Sequence, residues 1–427
     1  MALNFFTLTF LKFIFCFYVF AFLFNPTVFI EFNFIYILTL IAFIFGIPYF
    51  KQYKALLFDK RIFLYLSFIV YLVFYLCLLT YFGGSDSLYS AYNYTLLVSS
   101  LFCAFFIVVT YCKLYGSSLN NFIGFILSFG VFQLIFVFLM VVMPEFRDFI
   151  LMNIRDKELI EISDFYGSKR SFGLANGYTS TFPMLMGVFA LFFMVKKKST
   201  RSVDFKYSIN LTLALMLAFS VILNARTGLL PILIFSFLSL AFFFLNKRSF
   251  FLLISMLPLV FVFLIFVSFL DLEYEPYFKS LLWAIDEVFA LLEGNRIGTF
   301  HFLEKMFHLP SDTISLLFGT GNSVFGQQKN FLYSSDIGFI RDVYMFGLIN
   351  SLLLICVFYN LSKPFFLYTK RVYGRFFFTS LIVSVFLFYF KGATLAASEL
   401  YNFFVLMSVF SIYSCNATKG NKWRVFN

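Results

Sequence analysis

The stretch FIGFILSFGVFQLIFVFLMVVM, Phe122–Met143, carries no charged residue and has the length an α-helix needs to cross the hydrocarbon of a bilayer. A polar segment, 143–177, follows it directly. Upstream, apolar runs of similar length occur at Phe5–Phe24, Ile30–Phe50, Ile62–Phe82 and Thr95–Tyr111. Downstream they resume at Tyr178–Val195, Tyr207–Leu223, Gly228–Leu245 and Phe250–Leu270. A second polar segment, 271–336, separates these from Ile337–Tyr359, Phe376–Phe390 and Thr394–Cys415. The pattern predicts an all-α polytopic membrane protein with about twelve transmembrane helices. Composition points the same way, because a chain that is 62% apolar and only 12% charged cannot hide its surface inside a water-soluble fold of 427 residues.

The Lys/Arg distribution sets the expected orientation. Lys51, Lys54, Lys60 and Arg61 mark one cytoplasmic loop, and Lys196, Lys197, Lys198, Arg201 and Lys206 mark another. Lys247 with Arg248 follows the same rule, as do Lys363, Lys370, Arg371 and Arg375, and the tail residues Lys419, Lys422 and Arg424. These alternate through the expected spans with both termini cytoplasmic, so the two polar segments become long extracytoplasmic loops. The domain division is then an N-terminal bundle over 1–142, a first loop over 143–177 and a central bundle over 178–270. A second loop over 271–336, a C-terminal bundle over 337–415 and a cytoplasmic tail over 416–427 complete it. Leu11–Leu23 reads as a retained first span rather than a cleaved leader.

Several function classes recede. The net charge of +11 lies mostly in short loops between spans, where it sets orientation rather than binding nucleic acid. The six cysteines sit in or beside apolar runs without metal-ligand spacing and read as small buried hydrophobes. With only His301 and His308 as imidazoles, no metal or cofactor is expected. Loops of about 35 and about 66 residues are too long for turns and usually carry function. In the second, Phe278, Leu281, Leu282, Ile285, Val288, Phe289 and Leu292 recur at helical spacing, which predicts an amphipathic helix on the bilayer or over a cavity.

Charge on the outer side is the sharpest functional signal. Arg226, in Asn224-Ala225-Arg226-Thr227-Gly228, lies between two apolar spans where orientation offers no reason for it. It either reaches outward to water or binds an anion. Lys169 and Arg170 precede Ser171-Phe172-Gly173 at the head of a span, and Arg296 lies in Gly294-Asn295-Arg296-Ile297-Gly298. A guanidinium grips phosphate oxygens with two parallel donors and stays charged at any relevant pH, so these residues suit a pyrophosphate. His301, five residues beyond Arg296, is either structural or the proton acceptor of the site. Gly319-Thr320-Gly321 lacks the rest of a nucleotide loop and reads as a turn or as backbone near an anion. Asp336 is placed to cap a helix. Arg341 with Asp342 forms either a structural pair or a substrate contact, Gly347 permits close helix approach, and Lys391 with Glu399 is a second buried-pair candidate.

Taken in order, these stretches resemble the Wzy-type polysaccharide polymerases and the related O-antigen ligases. The resemblance rests on Asn-Ala-Arg-Thr-Gly-Leu-Leu at 224–230, Leu-Phe-Gly-Thr-Gly at 317–321, Ser-Asp-Ile-Gly-Phe-Ile-Arg-Asp at 335–342 with Gly347, and Arg170-Ser171-Phe172-Gly173. It covers nearly the whole chain in topology and about a tenth of it in motifs. It implies a fold similar to C-type glycosyltransferases in the bacterial inner membrane. The substrates it implies are oligosaccharide repeats on undecaprenyl pyrophosphate, transferred at the outer leaflet to the terminal hydroxyl of an acceptor repeat. By that likeness Arg226, Arg296 and His301 are catalytic, Arg170, Arg226, Arg296 and Lys169 hold the pyrophosphate, and Asp336, Arg341, Asp342, Gly319, Gly321 and Lys391 support them. A flippase and a chain-length regulator of the same pathway are the implied protein partners. A ligase moving a finished glycan, or a repeat-unit flippase, are the alternatives; a transporter would place more ionisable residues midway through its spans.

Overall fold

The computed structural model describes residues 2–26, 33–83, 87–153, 171–175, 181–195, 205–224, 226–243, 306–321, 337–392, 395–396 and 398–424. No strand occurs among them. The helices are α1 (Ala2–Phe24), α2 (Phe34–Gly46), α3 (Phe50–Leu57), α4 (Lys60–Gly83), α5 (Ser87–Tyr115), α6 (Leu119–Val142), α7 (Pro144–Met152) and α8 (Thr181–Val195). They continue as α9 (Phe205–Ile222), α10 (Leu230–Phe243), α11 (Thr313–Phe318), α12 (Gly338–Tyr373), α13 (Arg375–Lys391) and α14 (Glu399–Arg424).

Five helical stretches among the described residues are long and apolar enough to cross a membrane: Phe34–Leu57, Lys60–Tyr81, Ala91–Tyr115, Leu119–Val142 and Gly338–Tyr373. Shorter apolar helices cover Thr9–Phe24, Thr181–Val195, Ser208–Ile222 and Thr227–Leu240. The chain is therefore a helical protein suited to a membrane, with fewer full-length spans among the described residues than the expected twelve. The expected span Phe250–Leu270 and the amphipathic segment 278–292 lie outside the described residues, as do most of 143–177 and 271–336.

Two expected loops are helical instead. Lys51 and Lys54 lie on α3, and Lys363, Lys370 and Arg371 continue α12 to Tyr373. Lysine and arginine are good helix formers and are favoured at the carbonyl end of a helix, so a charge run need not break one. What stops α12 is Gly374, whose φ of 97° is the left-handed conformation glycine adopts without penalty.

The chain divides into two compact units. In the first (Met1–Phe129, Phe302–Tyr368 and Phe388–Asn427), α14 is the central helix, buried without interruption from Glu399 to Ile412. Such all-round burial suits its sequence, apolar on every face but for Glu399 at its start, the hydroxyls of Tyr401, Ser408 and Ser411, and the Asn402 amide. Asn402 donates to the Phe22 carbonyl at 2.8 Å, Ser408 meets Ser362 at 3.1 Å, and the Tyr65 and Tyr401 hydroxyls meet at 2.5 Å. Phe410 stacks on Phe122 with centroids 4.1 Å apart, a contact of about 0.5–1.5 kcal/mol.

In the second unit (Gly130–His301 and Thr369–Leu387), α8 has the same role, buried from Thr181 to Phe193. Between membrane helices, association relies on close van der Waals packing, and glycine permits it. A Cβ on Gly187 would fall 1.7 Å from the Gly228 carbonyl oxygen, and one on Gly130 would fall 2.3 Å from the Phe189 ring.

Candidate functional site

In the second unit, two of the arginine-bearing stretches are held together. The backbone of Ser171-Phe172-Gly173 lies against the C-terminal half of α6. Gln133 donates its side-chain amide to the Phe172 carbonyl at 2.8 Å, and the Gly173 N–H meets the Met140 sulfur at 3.1 Å. Gly173 has φ 63°, and a Cβ there would lie 2.6 Å from Gln133 Nε2, so conformation and space both require glycine. From the other side Asn224, just past the end of α9, donates to the Ser171 carbonyl at 2.7 Å and to the Ser220 carbonyl at 2.8 Å. The chain then makes a 3-10 turn over Arg226–Leu229 and enters α10. Gly228 packs on α8, where a Cβ would meet the Pro183 carbonyl oxygen at 2.2 Å.

One asparagine thus joins stretches 53 residues apart, with Arg170 next to one end of its hydrogen bond and Arg226 two residues from the other. The side chain of Arg226, and Lys169 and Arg170 entirely, lie outside the described residues.

Four residues in this unit carry a buried polar atom without a hydrogen-bond partner among the described residues: Gln133 and Ser171 at the junction, Thr227 three residues beyond Asn224, and Arg147, at its Nε, on α7. Each such atom ordinarily costs about 1–3 kcal/mol, so each asks for a polar occupant, a ligand group or a water. Arg147 has no counterpart among the residues singled out from the sequence. It is 7% exposed and lies on α7, whose Phe146 ring stacks on Phe136 of α6 at 6.4 Å. Its exposed acidic neighbours Glu145 and Asp148 make the stretch look like ordinary solvated loop; the helical spacing of Arg147 to Ile150 and Leu151 is the signal that could have found it.

The first unit joins the other two motif stretches. Inside α12 Gly347 takes φ 85° and ψ 165°, a conformation open essentially to glycine alone, and breaks the helix. The break frees the carbonyls of Tyr344 and Met345, and the segment after α11 supplies their donors. Thr320 N–H reaches the Tyr344 oxygen at 2.7 Å and Gly321 N–H the Met345 oxygen at 3.0 Å. Gly319, with φ 82° and ψ 169°, lies back to back with Gly347: a Cβ on Gly347 would be 2.2 Å from the Leu317 oxygen. Gly319 and Gly321 therefore cap a broken helix. Tyr75 of α4 closes the same corner by donating to the Phe318 carbonyl at 2.5 Å.

One turn before the break, Asp342 is buried at 4% exposure and accepts from Tyr94 at 3.0 Å and Tyr389 at 2.5 Å. Its sequence neighbour Arg341, half-buried, acts electrostatically on the same carboxylate. A carboxylate so enclosed ties α5, α12 and α13 together through the two tyrosine hydroxyls. Lys391 ends α13 half-buried and Glu399 opens α14 buried. His308, in the irregular stretch before α11, meets the Tyr344 ring edge-on at 5.8 Å. Arg296, His301 and Asp336 lie outside the described residues.

No protein-family model matches the chain, and no curated protein matches it. The functional reading therefore rests on the chain's own residues and on the resemblance their order carries.

Proposed function

We propose that the protein is a polysaccharide polymerase of the inner membrane, acting on lipid-pyrophosphate-linked repeat units at the outer leaflet. The reading takes the chain as about twelve spans with both termini cytoplasmic, so that the junction at Ser171 and Asn224 faces outward. The observation that supports it is the hydrogen bond from Asn224 to the Ser171 carbonyl, which joins the residue after Arg170 in sequence to the residue two before Arg226. Arginines flanking that contact in sequence suit a diphosphate, and neither composition nor orientation requires them there.

The chemistry asks little more of the protein. A sugar on a diphosphate already has a good leaving group, so the arginines need only offset the charge growing on the departing lipid diphosphate. The acceptor hydroxyl loses its proton to a base, for which His301 is the candidate, as its oxygen bonds to the donor's anomeric carbon. Bond energy comes from the donor. A flippase and a chain-length regulator are the expected companions.

Purified protein incubated with lipid-linked repeats tests this directly. Wild type is expected to yield a product ladder and Arg226→Ala to lose at least about a hundredfold in rate, the size of effect seen when a charge-stabilising donor is removed. Equal ladders would remove Arg226 from the mechanism. Long lipid-linked chains that lack a final attachment in a deletion strain would favour a ligase, and repeats trapped on the cytoplasmic side would favour a flippase.

A further inference from the structure

Arg147 occupies a seat that α7 should give to an apolar residue. With Ile150 and Leu151 it forms the buried stripe of that helix, at spacings of three and four residues. Its side chain is more than nine-tenths buried, and its Nε has no hydrogen-bond partner among the described residues. A buried guanidinium cannot shed its charge, so an anion is the natural way to balance it.

The surroundings show where that anion would sit. Phe146, beside Arg147, stacks on Phe136, and a Cβ on Gly173 would lie 3.2 Å from the Phe136 Cβ. Phe138, two residues further along α6, stacks on Phe219, next to the Ser220 whose carbonyl accepts from Asn224. Arg147, the Ser171 stretch and the Asn224 stretch are thus gathered around one helix end. Gln133 and Ser171, on the segments that meet here, also carry unpartnered buried atoms, Gln133 Oε1 and Ser171 Oγ, as does Thr227, three residues beyond Asn224, at Oγ1. The guanidinium and the two hydroxyls are donors of the kind phosphate oxygens take, whereas Gln133 Oε1 is an acceptor and suits a ligand hydroxyl or a water instead.

We propose that Arg147 binds the phosphate oxygens of a membrane lipid headgroup at this junction. The proposal rests on the functional reading above in naming the lipid diphosphate of a glycan donor as the ligand. The same chemistry would also accept the phosphate of an anionic phospholipid.

The test uses full-length protein in detergent micelles, titrated by native mass spectrometry with undecaprenyl diphosphate and separately with phosphatidylglycerol. Arg147→Gln is expected to weaken diphosphate binding about 10- to 100-fold, the range for losing charge-assisted hydrogen bonds, with phosphatidylglycerol binding unchanged. A loss confined to phosphatidylglycerol would keep the site and assign it to phospholipid. Equal binding of both lipids by variant and wild type overturns the proposal. Without added lipid, Arg147→Gln is expected to melt at or above the wild-type temperature, because it removes a buried charge whose Nε has no hydrogen-bond partner among the described residues. A lower melting temperature would make Arg147 a structural residue and likewise overturn the proposal. Failure of the polymerase reading looks different: wild type makes no ladder, whatever the binding titrations of Arg147→Gln give.

Discussion

The two units each pin a pair of distant motif stretches with a backbone contact that only glycine allows, yet they finish differently. In the first unit the break at Gly347 frees carbonyls that Thr320 and Gly321 immediately satisfy, and the buried Asp342 holds two tyrosine hydroxyls. In the second, Gly187 meets Gly228 and Asn224 bridges to Ser171, but Gln133, Arg147, Ser171 and Thr227 keep buried polar atoms without partners among the described residues. The carbonyls freed at Gly347 are met by donors of the same chain, so that contact is scaffolding. At the second contact the Arg147 Nε and the Ser171 and Thr227 hydroxyls are buried without hydrogen-bond partners among the described residues, which suits a ligand.

The largest effect is expected from breaking the first junction. Gly347→Ala combines backbone strain of about 1–3 kcal/mol with a clash of similar size against Leu317, so unfolding in detergent should show a loss of about 2–6 kcal/mol. Lipid binding per folded molecule should stay unchanged; if it fell, the scaffold reading would be wrong. Gly187→Ala should cost less, about 1–3 kcal/mol, since its backbone is helical and alanine recovers some helix propensity.

Asn224→Ala sharpens the contrast. It strands two buried carbonyls, for about 1–2 kcal/mol by the same unfolding measurement, but its transfer rate should fall by far more than the folded fraction. Asp342→Asn is the control in the first unit. The amide keeps an acceptor for one tyrosine, so about 1 kcal/mol is lost and the product ladder stays near wild type. A ladder lost from well-folded Asp342→Asn would make that carboxylate part of the chemistry and erase the distinction.

The smallest effect concerns Asp312, the exposed cap of α11. Backbone N–H groups, chiefly that of Ser315, hold its carboxyl below the usual carboxylate range. A lowered folded value means the cap contributes fully above the unfolded value and is lost as pH falls through the folded one. Protection of the Ser315 amide from hydrogen exchange should therefore decline on acidification, and in Asp312→Ala it should be low at every pH.

Much of the fold was legible because hydrocarbon imposes a length and a composition that Phe122–Met143 meets on inspection. Charge runs were less reliable: the lysines after Tyr359 suggested a loop, whereas α12 carries them to Gly374, because helix and loop both keep such residues exposed. Gly347 was visible as a close-approach residue, but its role as a helix break depends on donors from 320–321, more than twenty residues away. Three of the six cysteines, Cys77, Cys356 and Cys415, are exposed on helices rather than buried, since an apolar run does not say which face meets its neighbours.

By itself the sequence determined a helical membrane chain and the identities of arginines worth watching, because hydropathy and charge act residue by residue along the chain. Tertiary structure alone decided that Ser171 meets Asn224, that Thr320 and Gly321 repair the break at Gly347, and that Arg147 is buried. Hydrogen-bond partnership and burial belong to pairs of distant segments, and no local pattern encodes which carbonyl a given amide will reach.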